Sequence, residues 1–301
     1  SSGSGGSGGT SSSGGNGGSN PSGANYREAD LRRADFKKAD LKKSDFKGAK
    51  LQKADLNQAD LRGARLQETD LTRGKLKKAN LKNAYLKDAK LIRADLTASE
   101  MINAELENAN LKNSKLKKAK LNHAKLKKAN LSNANLEKAD LSNASLIKAK
   151  LRKADLTKAN LKNTVLKRAN LSKANLEEAN LNNAYLNNST LKNAHLKNAN
   201  LKNVSLKKAN LKDANLSGAN LKNANLYKAD LRRANLSNVD LTEADLNKAD
   251  LSYANLKNAN LKNVDLSDST LYGLSKTKLA FCPEILPQGW ECDSENYLRK
   301  I

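Results

Sequence analysis

Aromatic, sulfur-containing and histidine side chains are scarce in this chain. Its 301 residues include 3 Phe, 1 Trp, 1 Met, 2 His and 2 Cys, and the apolar share of 38% is below that of a typical packed domain. No run approaches the roughly 18 consecutive apolar residues of a membrane span. These shortages exclude an aromatic-rich globular core and a transmembrane helix. Burial must therefore come from a regular arrangement of aliphatic side chains.

Large apolar residues recur at every fifth position, without insertion or deletion, from Tyr26 to Leu266. Of these 49 positions 45 are Leu, and the others are Tyr26, Phe36, Phe46 and Met101. The residue two positions earlier is small throughout and is Ala in 39 cases. Self-similarity at a fixed period indicates a repeat architecture.

A period of five fits neither regular secondary structure. In a helix, successive Leu residues would be separated by about 140° around the axis and would form no buried stripe. A strand would need alternation with a period of two. The Asn and Asp that recur just before Leu favour turns. The consistent solution is a coil that turns every five residues, with Leu and Ala inward and the other three positions outward.

The repeating units resemble a known family. Ala-Asn-Leu-Lys-Asn at 109–113, Ala-Asp-Leu-Arg-Arg at 229–233 and Ala-Asn-Leu-Ser-Gly at 214–218 are similar to pentapeptide repeats. The resemblance implies an all-β fold, a right-handed quadrilateral parallel β-helix with four repeats per coil. Four repeats per coil predict about 12 coils, which stack at roughly 4.8 Å into a rod about 60 Å long.

Composition divides the chain into three segments. Residues 1–23 are almost wholly Gly, Ser, Asn and Thr, a composition typical of a flexible coil that is either native or an expression linker. The start at Ser1 suits a processed or truncated product. Residues 24–275 carry the repeats, and 276–301 form a predicted cap, because a solenoid must cover its last coil.

The cap contains both cysteines. We expect Cys282 and Cys292 to form a disulfide, which favours an exported protein at the cell surface or outside the cell; two reduced cysteines are the alternative. Trp290, Phe281 and Ile285 are expected to cover the last Leu layer.

Catalytic and cofactor chemistry find little support in the sequence. His123 and His195 are the only histidines, lie 72 residues apart, and fall at outward positions without an evident nucleophile. The sequence predicts no metal site and no cofactor. A regular polar rod also lacks the concave pocket that active sites use, so we expect no enzyme.

Residues 20 apart should stack on one another, so the residues that share an outer face can be identified from the sequence. One predicted column is an Asn ladder, whose amides can hydrogen-bond from coil to coil and stiffen the rod: Asn143, Asn163, Asn183, Asn203 and Asn223. A second column is basic and is either a solvated edge or an anion-binding ladder: Lys128, Lys148, Arg168, Lys208, Lys228 and Lys248.

A third column departs from the repeat pattern just before Leu. From Arg65 to Ser205 the usual Asn or Asp is replaced in eight consecutive coils. Tyr85, Val165 and Tyr185 make this column a candidate contact face, since aligned exposed apolar groups mark interaction surfaces; drift of the repeat without selection is the alternative.

Two functions follow from these surfaces. The favoured hypothesis is a non-enzymatic structural protein whose rods assemble with one another into an extracellular fibre or layer. The alternative is a monomeric binding module for an anionic polysaccharide, cell-wall polymer, lipid headgroup or nucleic acid, supported by the net charge of +24. Nucleic acid is the less expected partner, because its binding modules interleave aromatics with basic residues and this chain has few aromatics.

Overall fold

The computed structural model describes residues 22–301, and residues 24–275 form one continuous coil of repeats. Parallel bridges join residues 20 apart, from Asn25 with Asp45 to Asp250 with Thr270. Each coil therefore contains four five-residue repeats and has four sides. No helix occurs among the described residues, and none of them could cross a bilayer as a helix. The expected total of about 12 coils, derived from the repeat arithmetic, stays a prediction.

The repeat at 154–158 shows how the coil is bonded. The N–H of Leu156 donates to the carbonyl of Asn175 at 2.6 Å, and the N–H of Lys158 donates to Glu177 at 2.9 Å in the next coil. Asp155 donates to Ala134 of the preceding coil at 2.9 Å. Each repeat is thus bonded to both neighbouring coils, which is the nearest-neighbour stabilisation that solenoids depend on.

The corner between repeats is a tight turn. The N–H of Ala159 donates to the carbonyl of Leu156 at 2.9 Å, with Thr157 and Lys158 between them. Lys158 has a φ of 58°, and φ at the equivalent non-glycine positions from Glu28 to Asn263 lies between 54° and 62°. A positive φ at the third residue is typical of a type II turn. In this position Lys occurs nearly as often as Asn, although an ordinary side chain there costs roughly 1 kcal/mol.

The interior consists of the two inward positions of each repeat. Leu residues from Leu41 to Leu266 are fully buried, and the small residues between them are buried as well. Most hydroxyls at the small position bond to backbone carbonyls, as in Thr164 Oγ1 to Leu141 at 2.8 Å and Ser189 Oγ to Leu186 at 2.6 Å; those of Ser44 and Ser99 are buried without a partner among the described residues. The inward assignment of Leu and Ala is therefore confirmed across the described coil.

The Asn or Asp before Leu has a different role from the predicted one. It occupies the bridge between coils, and the two central residues of the turn are those that follow Leu. Asn and Asp are used here for a side-chain bond to the backbone two residues on, as in Thr157 N–H to Asp155 Oδ1 at 3.0 Å. We call this bond the Asx cap, and the residue before Leu the bridge residue.

A small antiparallel sheet follows the coil at the C-terminus. Its strands are β1 (Thr277–Lys278), β2 (Trp290–Cys292) and β3 (Tyr297–Lys300), in the order β1-β3-β2. Leu298 of β3 is fully buried, and Leu286 and Trp290 pack against the coil interior. Cys282 and Cys292 are bonded, with Cα atoms 6.2 Å apart.

Two of the three residues expected to cover the last Leu layer do not do so. Phe281 and Ile285 are 55% and 48% exposed, because they pair with Asn260 and Asp265 as outward bridge residues. Parallel pairing thus continues past residue 276. Leu298 supplies the cover instead.

The N-terminal coil is less enclosed. Tyr26 and Leu31 are half-buried, and the Tyr26 ring stacks on Phe46 with centroids 4.8 Å apart. Of the predicted Gly/Ser tail, Ser22 and Gly23 are described, and both bond to the carbonyl of Lys42. Residues 1–21 lie outside the described residues.

Candidate functional site: a basic and aromatic face

The four sides of the coil are defined by their bridge columns. Side 1 runs from Asn25 to Asp245, side 2 from Asp30 to Thr270, side 3 from Asp35 to Asn255 and side 4 from Asp40 to Asn260. The predicted basic ladder and the predicted contact column of Tyr85, Val165 and Tyr185 both fall on side 1. Two surfaces that the sequence presented as separate lines are therefore one surface.

The outward residues of side 1 from Lys125 to Lys228 form what we call the basic–aromatic face. Its charged, aliphatic and aromatic members are Lys125, Lys127, Lys128, Ile147, Lys148, Val165, Lys167, Arg168, Tyr185, Lys207, Lys208, Tyr227 and Lys228. None of its positions is Asp or Glu. Lys248 lies one coil further along the same side, and Tyr85 lies two coils before Lys125.

The cations of this face have few partners. Lys125 pairs with Glu105 at 2.7 Å, and this bond to the carboxylate raises the pKa of Lys125. The other eight cations have no carboxylate within 4.0 Å among residues 22–301. The turn lysines and Arg168 point outward and are exposed. Like charges stacked at one β spacing, about 4.8 Å, repel one another, so an anionic ligand would relieve that repulsion.

The tyrosines of the face are in contact with lysines. Lys207 and Lys228 place Nζ at 4.9 and 5.2 Å from the Tyr227 ring centroid, and Lys167 lies 5.8 Å from that of Tyr185. These are cation–π distances. Tyr185 is 47% exposed and Val165, which it bridges, is half-buried. The aromatic rings therefore position ammonium groups along the face.

The opposite side of the rod has a different charge pattern. In the six repeats of side 3 between 134 and 238, the acids Glu137, Asp155, Glu177 and Glu178 accompany the bases Lys138, Lys158 and Lys197. Lys158 pairs with Glu178 at 3.3 Å, and Lys197 with Glu177 at 4.0 Å. In these coils side 1 is therefore much more basic than the opposite side, and it is free of acidic residues.

The Asn ladder lies on side 4. The side-chain amides of Asn163, Asn183 and Asn203 each donate to the Asn one coil earlier, at 3.1, 3.3 and 3.0 Å. Asn223 makes no such bond in the described residues. A second column on the same side was missed: Asn180 donates to Asn160 at 3.4 Å, and Asn200 donates to Asn180 at 3.2 Å. Its signal was present in the sequence, since these bridge residues are also 20 apart.

Asx caps complete the backbone bonding wherever the bridge residue is Asn or Asp. Every such residue from Asn25 to Asp265 accepts the N–H two positions on, at 2.8–3.3 Å. This is the one N–H of the repeat that the backbone itself leaves free. It must point outward, because an outward side chain reaches it.

On side 1 the cap is missing in eight consecutive coils. The bridge residues from Arg65 to Ser205 are neither Asn nor Asp, and the N–H groups two positions on have no acceptor among the described residues. These donors belong to Gln67, Lys87, Glu107, Lys127, Ile147, Lys167, Asn187 and Lys207, and we call them the open amide column. Its last five members lie on the basic–aromatic face.

Groups that could catalyse a reaction are dispersed. His123 is an exposed turn residue on side 4, and His195 is an exposed bridge residue on side 3. No group of three His, Cys, Asp or Glu side chains within residues 22–301 could hold a metal ion. A surface depression of about 510 Å³ is lined by Asp30, Arg32, Arg33 and neighbouring residues, and Arg32 there is bonded to Asp30.

A family model and a solved structure share this repeat. The model of pentapeptide repeats matches the chain in segments that run from 18–52 to 229–273. The chain is 32% identical to HetL, a pentapeptide repeat protein involved in heterocyst differentiation regulation from the cyanobacterium Nostoc sp. strain PCC 7120. That match covers 80% of this chain and 90% of HetL, with a TM-score of 0.33.

Two further solved structures are more distant or more partial. A pentapeptide repeat protein of the Arabidopsis thaliana thylakoid lumen is 34% identical over 32% of this chain and 63% of its own length, with a TM-score of 0.25. QnrB1, a plasmid-mediated fluoroquinolone resistance protein, is 17% identical over 70% of this chain and 90% of QnrB1, with a TM-score of 0.31. The search of curated proteins found no match.

Proposed function

Because the chain belongs to the pentapeptide repeat family, whose members fold as right-handed quadrilateral β-helices, we propose that it is a non-enzymatic binding protein. In this proposal the basic–aromatic face holds a linear anionic polymer along the rod. The observation that carries it is the absence of acidic residues on a basic side: side 1 has nine bases and no acid, against eight bases and two acids in the matching repeats of side 2 and three bases and four acids in those of side 3.

A polymer suits this face better than a small anion. The cations recur in five of the six coils from Lys125 to Lys228, and a rigid backbone bonded in every coil holds them in line. Each coil would contact a successive charged group of the ligand, so many weak contacts would add. Binding of this kind is strongly salt-dependent, because association releases counterions.

The disulfide of the C-terminal segment supports an extracellular ligand. The bond between Cys282 and Cys292 suits an oxidising compartment. We therefore also propose that the protein is exported. Its partner would then be an acidic polysaccharide or a cell-wall polymer, which occur outside the cell.

The test uses two variants that change the same charge on opposite sides. K128N/K148N/R168N neutralises three exposed turn cations of side 1. K118N/K138N/K158N neutralises the three turn cations half a coil earlier, on side 3. Asn tolerates the positive φ of these turns better than most residues, and it already occupies equivalent turns such as Asn163, so neither variant should disturb the coil.

Binding of fluorescent polygalacturonate should distinguish them. We expect the side 1 variant to bind about tenfold more weakly at low salt and to show a shallower salt dependence. The side 3 variant should bind like the unmodified protein. Equal weakening in both variants would show that net charge rather than the face governs binding, and an absence of binding by the unmodified protein would refute the proposal.

Assembly of rods is a second candidate, favoured by the exposure of Tyr85 and Tyr185, 40% and 47%, on one side. End-to-end growth receives less support, because β1 to β3 cover the C-terminal coil. Sedimentation of the Y85K/Y185K variant tests lateral contact. Particles larger than a monomer that dissociate in this variant would favour assembly, whereas monomers at every salt concentration would exclude it.

A further inference from the structure

The open amide column gives the basic–aromatic face a feature that charge alone does not. Lys127, Ile147, Lys167, Asn187 and Lys207 each present an outward backbone N–H without an acceptor in the described residues. Elsewhere on the rod, bridge residues that lack an Asx cap do not form a comparable run: Glu100 and Lys120 on side 4 are an adjacent pair, and Lys150 and Thr190 on side 2 are separated by the capping Asn170. An outward backbone N–H without an internal acceptor can donate to an anion, as the N–H groups of backbone nests do.

The position of these donors indicates what they can bind. In capped repeats the acceptor is a carboxylate or amide oxygen, as in Lys212 N–H to Asn210 Oδ1 at 3.0 Å. Where the bridge residue is neither Asn nor Asp, a ligand oxygen can accept the same hydrogen bond. The donors repeat once per coil, at about 4.8 Å, with lysine ammonium groups beside them.

The regular spacing of these N–H donors favours a polymer with one carboxylate on every sugar. A pyranose ring in an extended polysaccharide is nearly as long as one β spacing, so a chain of uronic acids would place one sugar beside each coil. The carboxylates that the screw of the chain turns toward the rod would then fall at whole-coil intervals. Single-stranded nucleic acid is the weaker candidate, because it relies on aromatic platforms for its bases. Lys207 and Lys228 both lie over the Tyr227 ring, which leaves that ring poorly placed for base stacking.

We propose that the rod binds an extended polyuronate, with ligand carboxylates accepting bonds from the open amide column in the place of the missing Asx caps. This inference rests on the proposed function and names its ligand. The nearby lysines supply attraction, and the amide column supplies the register between ligand and coil.

Restoring the caps tests the role of the amides without changing charge. S145N/V165N/S205N supplies Asn at three bridge positions, so the N–H groups of residues 147, 167 and 207 become bonded within the protein. All lysines of the face are kept. The control T190N/H195N adds caps for Lys192 and Lys197 on sides 2 and 3, outside the face. Because Asn is the ordinary residue at these bridge positions, both variants should fold, which a thermal melt verifies.

The probe is a polygalacturonate oligomer, titrated by calorimetry into each variant. We expect S145N/V165N/S205N to bind roughly tenfold more weakly, because N–H to carboxylate bonds are lost, and T190N/H195N to bind normally. The pair S145N/S205N, which keeps the Val165 side chain, should lie between them. In the unmodified protein, the ligand should shift the amide NMR signals of residues 147, 167 and 207.

Three results would overturn the inference. If the capped variant binds normally while K128N/K148N/R168N binds weakly, the amides are not used and the proposed function stands. If S145N/S205N binds normally and only the triple variant is weak, the loss belongs to the Val165 side chain. If an oligonucleotide of equal charge binds more tightly than polygalacturonate, the ligand class is wrong. Failure of every polyanion to bind would instead refute the proposed function itself.

Discussion

Sides 1 and 4 of the rod share an interior and differ in how their outward groups are bonded. Leu166 lies under side 1 and Leu161 under side 4, and both are buried to the same extent. Outside, side 4 bonds to itself through Asn160, Asn180 and Asn200, whereas side 1 in the same coils leaves amides and cations without partners. The comparison teaches that this fold separates the residues that hold it together from those that can contact a ligand.

The largest effect should come from charging the shared interior. Leu166→Asp and Leu161→Asp each bury an unpaired carboxylate, and each should lower the free energy of unfolding by about 4 kcal/mol. Thermal or urea unfolding measures both. Lys158→Asp, at an outward turn, should cost at most about 1 kcal/mol, because it replaces only the exposed pair with Glu178 by a surface repulsion. A similar loss at Lys158 would refute the assignment of Leu to the interior and of Lys158 to the surface. Unequal losses at the two Leu positions would show that sides 1 and 4 do not have equivalent interiors.

A smaller loss should follow from removing a cap on side 4. Asn180 accepts the N–H of Asn182 at 3.2 Å and bonds to Asn160 and Asn200. Asn180→Ala removes all three bonds and should cost about 2 kcal/mol of unfolding free energy. Ser205→Ala on side 1 is the matched control, since the Ser205 hydroxyl bonds to none of the described residues. Equal melting temperatures for these two variants would show that the caps contribute nothing.

The smallest effect has the opposite sign. Ser145→Asn on side 1 supplies a cap for the N–H of Ile147 and should raise the free energy of unfolding by about 1 kcal/mol. Ser145→Ala, which offers no acceptor, should give no gain. A destabilised Ser145→Asn variant in a chemical unfolding curve would indicate that side 1 cannot adopt the bonding of side 4.

The sequence was sufficient to predict which residues form the interior, because a period of five residues leaves only one arrangement in which Leu and Ala can both be buried. It was insufficient to predict the backbone conformation of the turn. Lys128 and Lys148 have positive φ, a conformation that lysine disfavours and that closure of the coil imposes. The buried cover from Leu298 was also unpredictable, since β3 pairs with β1 across a loop whose path no local pattern determines.

The candidate site was partly readable from the sequence. Lys128 and Lys125 belong to one repeat, so the basic ladder and the column containing Val165 could have been placed on one side by counting. The open amides cannot be found that way, because the sequence alone indicates only a turn role for Asn and Asp. The structure shows that Asp155 accepts a hydrogen bond from the N–H of Thr157, and equivalent bonds occur in the other capped repeats. Where the bridge residue is neither Asn nor Asp, this hydrogen bond is lost.

Stacking at intervals of 20 residues also sets the rules by which such a chain can change length. Duplication of 20 residues would add one coil and leave every later residue on its side, so the rod and its binding face would lengthen together. Duplication of five would preserve the buried interior but rotate all later residues by one side, dividing the basic–aromatic face between two surfaces. Because each coil contacts only its neighbours, both products should fold, and selection for a continuous face would retain only the first.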